Sequence, residues 1–147
     1  MNGKILAICI SDKKGIQKTE LPQAQLVAEH GIEGDAHAGP WHRQVSFLDE
    51  NDVQMMRDKG LPDLKHGAFA ENFVLEGIDL VQLGLGSRMK LGEEAEVALT
   101  QIGKVCHTHC AIYHTTGDCI MPREGIFAKV LSPGHIQISD TIEVIDG

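Results

Sequence analysis

Long apolar runs are absent from this sequence: the longest, Ile5 to Ile10, falls far short of the ~20 residues needed to cross a bilayer. It reads as a buried strand, and no membrane anchor is expected. A basic surplus is absent as well. Lys and Arg number 13 against 21 Asp and Glu, for a net charge of −8, whereas nucleic-acid binding needs a basic face that displaces counterions. DNA and RNA are therefore not expected partners, although a small anion needs only a few cations and N–H groups converging in one pocket. No stretch is dominated by Ser, Gln or Pro, so nothing points to disorder or repeats. The amino terminus, Met1 to Lys4, shows neither a long apolar stretch nor a small-residue cleavage site, so no secretory signal is expected and the cytoplasm is the expected location.

What is present fits one domain over residues 1–147, long enough to bury a core without disulfides. Lys4 to Ser11 predicts a strand followed by a turn. Further strands are predicted over Gln25 to Glu29, Arg43 to Leu48, Asn72 to Glu76, Arg88 to Leu91, Ala95 to Gln101 and Thr141 to Ile145, separated by glycine-bearing turns. Short strands at this spacing predict a mainly β, closed or nearly closed barrel. One helix is predicted from an N-cap at Asp49 through Val53 and Met56 to Gly60, before Leu61-Pro62. A second, over Arg123 to Leu131, is predicted from the helical spacing of Ile126, Phe127 and Val130.

In a reducing compartment the four cysteines, Cys9, Cys106, Cys110 and Cys119, are expected as thiols, which directs attention to metal or sulfur chemistry. The densest reactive segment is Lys104-Val105-Cys106-His107-Thr108-His109-Cys110, followed by His114, Asp118-Cys119 and Pro122-Arg123. Neighbouring cations lower a thiol's pKa, so Cys106 is a candidate thiolate, able to attack a persulfide or bind a soft metal. Zinc fits the spacing poorly, because only Cys106 and Cys110 approximate one ligand pair. On a strand those two cysteines would stand about 13 Å apart; on a helical turn they would approach to about 6 Å.

Gly31 to Gly39, GIEGDAHAG, predicts a loop with unusual dihedrals or close approach to a ligand. Arg43 follows it, and its planar fork suits a phosphate or carboxylate; a loop merely held by Asp35, with a solvated arginine, is the equal alternative. In Gly67 to Asn72, Glu71 is a candidate loop anchor and Asn72 a candidate amide donor, though such residues are more often turn formers. Gly84-x-Gly86 lacks the third glycine of a dinucleotide loop.

Taken together, GIEGDAHAG, HRQVSFL, ENFVLEGIDL, LTQIGKVC and GDCIMPREGIFAKVL resemble the MOSC domain, named for the carboxy-terminal domain of molybdenum-cofactor sulfurases. The resemblance implies a β-barrel-like fold, binding of the molybdenum cofactor, and a cysteine, Cys106, that carries sulfur or contacts molybdenum. It makes Arg43, Lys104 and Arg123 candidate partners for the cofactor phosphate or for a persulfide, with supporting roles for His37, Asn72 and Asp118. The chain is too short to include the sulfurases' pyridoxal-phosphate domain, so a separate cysteine desulfurase or other donor would load Cys106. The implied roles are a sulfur carrier for cofactor maturation, a molybdenum-dependent reductase of N-hydroxylated compounds, or a non-enzymatic module that delivers the cofactor to a molybdoenzyme. The Cys-His-Thr-His-Cys run exceeds the family pattern and keeps a metal-binding or redox specialisation open.

Overall fold

The computed structural model describes residues 2–13, 17–102 and 125–145. Its elements in chain order are β1 (Asn2–Ile10), β2 (Thr19–Leu21), β3 (Gln23–Val27), β4 (Gly31–Ile32), β5 (Val45–Asp49), α1 (Glu50–Asp58), β6 (Phe73–Glu76), a 3₁₀ turn (Leu80–Gln82), β7 (Arg88–Leu91), β8 (Ala95–Ile102), β9 (Ile126–Ser132), β10 (Gly134–Gln137) and β11 (Thr141–Ile145). Seven strands close a barrel in the order β11-β7-β8-β9-β5-β6-β1, with β1 pairing back onto β11 and β2 continuing the sheet beyond β1. β10, β3 and β4 form a separate small sheet.

Two apolar clusters explain the closure. Ile5, Phe47, Phe73, Leu75, Met89, Val97, Ala128 and Ile142 belong to the larger one, with the Phe47 and Phe73 rings stacked at 5.0 Å. The smaller one joins Ala7, Cys9, Leu48, Val74 and Phe127 to Val53 and Met56 of α1. Strand alternation divides the side chains between them, as a period of two requires. In β1 the pairing register shifts between Ile5 and Ala7. One extra residue there lets Ile5 and Ile8 share the larger cluster while Ala7 and Cys9 share the smaller.

α1 starts where the Asp49 carboxylate accepts a hydrogen bond from the Asn51 N–H, as an N-cap should. Burial is the largest influence on Asp49 and raises its pKa, while the Asn51 hydrogen bond lowers it. The helix and the loop after it carry the chain back, so that β5 and β6 pair in parallel.

The described part of the second predicted helix is a strand, β9. Its Ile126, Ala128 and Val130 alternate into the larger cluster, while Phe127 alone among them reaches the smaller one. A barrel wall flanked by α1 buries both strand faces, and such burial erases the polar alternation by which a strand is recognised.

Register brings several ends to one rim of the barrel. Ile8 pairs with Phe73, Phe47 with both Phe73 and Ile126, and Ile102 with Ile126. The end of β1, the start of β6, the start of β9 and the end of β8 therefore meet there.

Candidate functional site

The glycine-rich loop folds onto this rim through a single buried carboxylate. Asp35 Oδ1 accepts from Ser11 N at 3.2 Å and from Lys18 Nζ at 2.7 Å. Its Oδ2 accepts from Asn72 Nδ2 at 3.1 Å and His37 N at 3.3 Å. One side chain thus ties the loop to the end of β1, the entry to β2 and the start of β6. The Lys18 and Asp35 side chains are both 0% exposed, so neither charge is tolerable without the other.

Glycines allow the loop its path. Gly31 has φ +129°, and a Cβ there would lie 2.7 Å from the Gln44 carbonyl oxygen, a position no larger residue fills. Gln44, itself buried, accepts from the Val130 N–H at 2.8 Å and so fixes the loop's exit to β9. Trp41 Nε1 donates to the His37 carbonyl at 2.7 Å, closing the loop on itself.

Arg43 stands just before β5, with its guanidinium carbon 4.7 Å from the Trp41 ring centroid and 5.6 Å from that of Phe127. Its Nε is buried and has no hydrogen-bond partner among the described residues. The residue as a whole is half-buried. The ring contacts restrain the guanidinium, and a buried donor without a partner is costly unless something accepts from it. An anionic oxygen is the natural acceptor. Next to it, Thr100 donates its hydroxyl hydrogen to the His42 carbonyl, and His42 Nε2 contacts Gln101 Oε1 at 2.9 Å, joining the loop to the end of β8.

Asn72 occupies the centre of the rim but its amide is taken up internally. Oδ1 accepts from Ser46 N at 2.9 Å, while Nδ2 donates to the Cys9 carbonyl at 3.0 Å and to Asp35. It positions Asp35. Glu71 anchors its loop by accepting from Gly67 N at 2.9 Å and Phe69 N at 3.0 Å. Burial raises its pKa most, and those backbone donors pull the other way. Cys9 is fully buried, and burial followed by the charges of Glu71 and Glu20 raises its thiol pKa far above the ordinary range. It has the environment of an inert core thiol.

A cavity of about 580 Å³ lies beside Lys18, with Glu20, Arg57, Lys65 and His66 on its walls. His66 spans it: Nδ1 is 2.8 Å from Glu20 Oε1 and Nε2 is 2.7 Å from Glu50 Oε2. Burial alone would lower the His66 pKa, but hydrogen bonds to Glu50 and Glu20 more than offset it, and the net shift is upward.

Of the residues predicted from sequence, His37, Arg43 and Asn72 come together on this rim. Cys106, Lys104, Asp118, Arg123, Cys110 and Cys119 lie outside the described residues. Among the described residues no cluster of His, Cys, Asp and Glu is suited to a metal ion, and no helix is long and apolar enough to cross a membrane. Lys18 and Ser11 were not predicted. Neither carries a local signal, because their partners lie 17 to 24 residues away in sequence.

A family model for the MOSC domain matches residues 34–143. The chain belongs to the MOSC family. This membership associates it in general terms with the molybdenum cofactor. Among solved structures it is similar to the YUAD protein from Bacillus subtilis, with a TM-score of 0.82 at 20% identity over 98% of this chain and 96% of that one. It is also similar to YiiM from Geobacillus stearothermophilus, with a TM-score of 0.73 at 18% identity over 98% of this chain and 75% of that one. For YiiM from Escherichia coli the TM-score is 0.71 at 16% identity, over 100% of this chain and 71% of that one. At these identities the likeness is one of fold. No curated protein matches the sequence.

Proposed function

We propose that this MOSC protein binds the molybdenum cofactor at the rim bearing the glycine-rich loop and carries sulfur for it on Cys106 as a persulfide. The observation that carries the reading is the Arg43 guanidinium, set against two rings with a buried Nε that has no hydrogen-bond partner among the described residues. That donor fits a phosphate oxygen of the cofactor. Connectivity adds support: β8 ends at Ile102 on this rim, and the four residues from there to Cys106 span at most about 14 Å. Lys104 lies two residues beyond Ile102, and Arg123 two residues before Gly125. Arg43, Lys104 and Arg123 would hold the cofactor's phosphate, while His37, Asn72 and Asp118 support the loops around it. When bound, the cofactor would supply a molybdenum that takes sulfur as a ligand.

The loading step needs only this chain's thiol and an external donor. Cys106, as thiolate, attacks the terminal sulfur of a donor persulfide; the donor's S–S bond breaks, its cysteine leaves as thiolate, and Cys106 retains a persulfide anion. Sulfane sulfur moves with no net oxidation. A separate cysteine desulfurase is the donor this reading requires. Incubation of the intact protein with a desulfurase and cysteine should add one sulfur atom by mass spectrometry, and Cys106→Ser should not gain it. No sulfur on the parent protein would overturn the carrier role.

Delivery without sulfur chemistry is a second reading, favoured by the internal engagement of Asp35 and Asn72, which leaves Arg43 as a binding group rather than a reactive one. It predicts cofactor affinity undiminished by Cys106→Ser.

A further inference from the structure

We propose that Lys18 is a positioning residue that holds His37 as a neutral ring with its proton on Nε2, so that the ring presents an N–H donor rather than a lone pair at that edge. The inference rests on the reading that His37 belongs to a cofactor-binding rim, and it identifies the chemistry which that rim favours.

The argument is one of donors and acceptors. Lys18 Nζ is closed to solvent and meets three atoms: Asp35 Oδ1 at 2.7 Å, His37 Nδ1 at 2.8 Å and Ser11 Oγ at 3.2 Å. An ammonium has three hydrogens and no lone pair. The Ser11 hydroxyl hydrogen is directed to the Lys13 carbonyl at 2.9 Å, which leaves its oxygen to accept. Asp35 accepts at every contact it makes. His37 Nδ1 must then accept the remaining hydrogen. A proton on Nδ1 would place an N–H against an ammonium N–H at 2.8 Å, a separation that leaves no room for a molecule between them.

The backbone of His37 is pinned from both sides. Its N–H donates to Asp35 Oδ2, and its carbonyl accepts from Trp41 Nε1. Lys18 itself cannot move to another partner, since its own backbone N–H donates to the Gly67 carbonyl at 2.9 Å and its charge is paired with Asp35. Ring position and tautomer are thus set together, in the way that a hydrogen bond at one ring nitrogen fixes the state of the other. A ring in this state is unsuited to ligating a metal or accepting a proton through Nε2. It suits an electron-rich group, such as a thiolate, a persulfide or a phosphate oxygen, which are the groups the sulfur-carrier reading brings to the rim.

The test is long-range proton–nitrogen correlation NMR on the full chain with labelled histidine, without cofactor, His37 being assigned by its disappearance in His37→Gln. The expected spectrum at neutral pH places Nδ1 of His37 among unprotonated ring nitrogens and Nε2 among protonated ones. The opposite tautomer, or a ring protonated at both nitrogens, overturns the proposal. Lys18→Met should release Nδ1 and shift the signals toward the other tautomer or the charged ring, and an unchanged spectrum in a folded Lys18→Met would equally overturn it. Should that variant fail to fold, the parent spectrum alone decides. Because the spectrum is read without cofactor, its failure is separate from failure of the functional reading, which would appear as unchanged cofactor affinity in His37→Gln.

Discussion

Lys18 and Asp35 meet at 2.7 Å with both side chains shut off from solvent. Neither Asp35→Asn nor Lys18→Met removes the need for the other charge. Each should therefore destabilise the fold by about 3–5 kcal/mol, the range for leaving a buried charge unpaired. Urea denaturation checks this through a fall in midpoint at constant slope. The double variant should lose less than the sum of the two single losses, since it leaves no orphaned charge. Additive losses would show that the two groups act independently.

Gly67 joins the same node from the other side. Its φ is +93°, and a Cβ would lie 2.2 Å from the Lys18 carbonyl oxygen, which itself leads into β2. Gly67→Ala combines backbone strain with a clash against main chain and should cost about 3 kcal/mol or more. Gly84 is the control, because its φ is ordinary and nothing lies within 4 Å of the added methyl. Gly84→Ala should be neutral or stabilising by up to about 1 kcal/mol. Thermal melts of the pair check the contrast.

His66 supplies a pH dependence of definite sign. Both ring nitrogens face carboxylates, so the imidazolium is the form that satisfies Glu20 and Glu50 together. The folded-state pKa lies above the ordinary 6.5. The stabilisation is therefore complete below about 6.5 and fades as pH rises through the higher folded value. Glu71 shifts in the same direction, but its window opens from 4.5, below that of His66. Comparing His66→Gln with the parent protein across pH 6 to 9 should show stability differences that shrink toward the alkaline end. A constant difference would mean that the ring contributes by packing alone.

Much of this architecture is legible in the amino-acid order. β7 and β11 are read at their observed ends, α1 from its Asp49 cap, and the glycine-rich loop from three glycines that all take positive φ. β9 is not, because Ile126, Phe127 and Val130 satisfy helical spacing as well as strand alternation, and both its faces are buried. The short edge strand β2 is hidden by its polar composition, Thr19-Glu20-Leu21. Lys18 is the clearest case of information that sequence lacks: no motif or spacing marks it, and only barrel closure brings Asp35 and His37 to its ammonium. For Arg43 the order of residues offers an anion-binding fork and a solvated side chain equally, whereas its contacts with the Trp41 and Phe127 rings depend on residue 127 lying in a strand.

Those ring contacts make Arg43 the residue at which stability and binding should diverge. Among the described residues its Nε is buried without an acceptor, a condition that costs about 1–3 kcal/mol, while its contacts with the two rings return about 0.5–2 kcal/mol. Arg43→Met keeps an apolar stem against the rings and removes the orphaned donor, so folding stability should change by no more than about 1 kcal/mol in either direction. Cofactor affinity should behave differently, since a charge-assisted hydrogen bond contributes about 1.5–3 kcal/mol, a loss of about 10- to 150-fold. Arg43→Lys should recover only part of that affinity, because a point charge lacks the planar fork of a guanidinium. Parallel denaturation and cofactor-binding titrations check both arms. A variant that unfolds readily yet binds normally when folded would assign Arg43 to the barrel instead of the ligand.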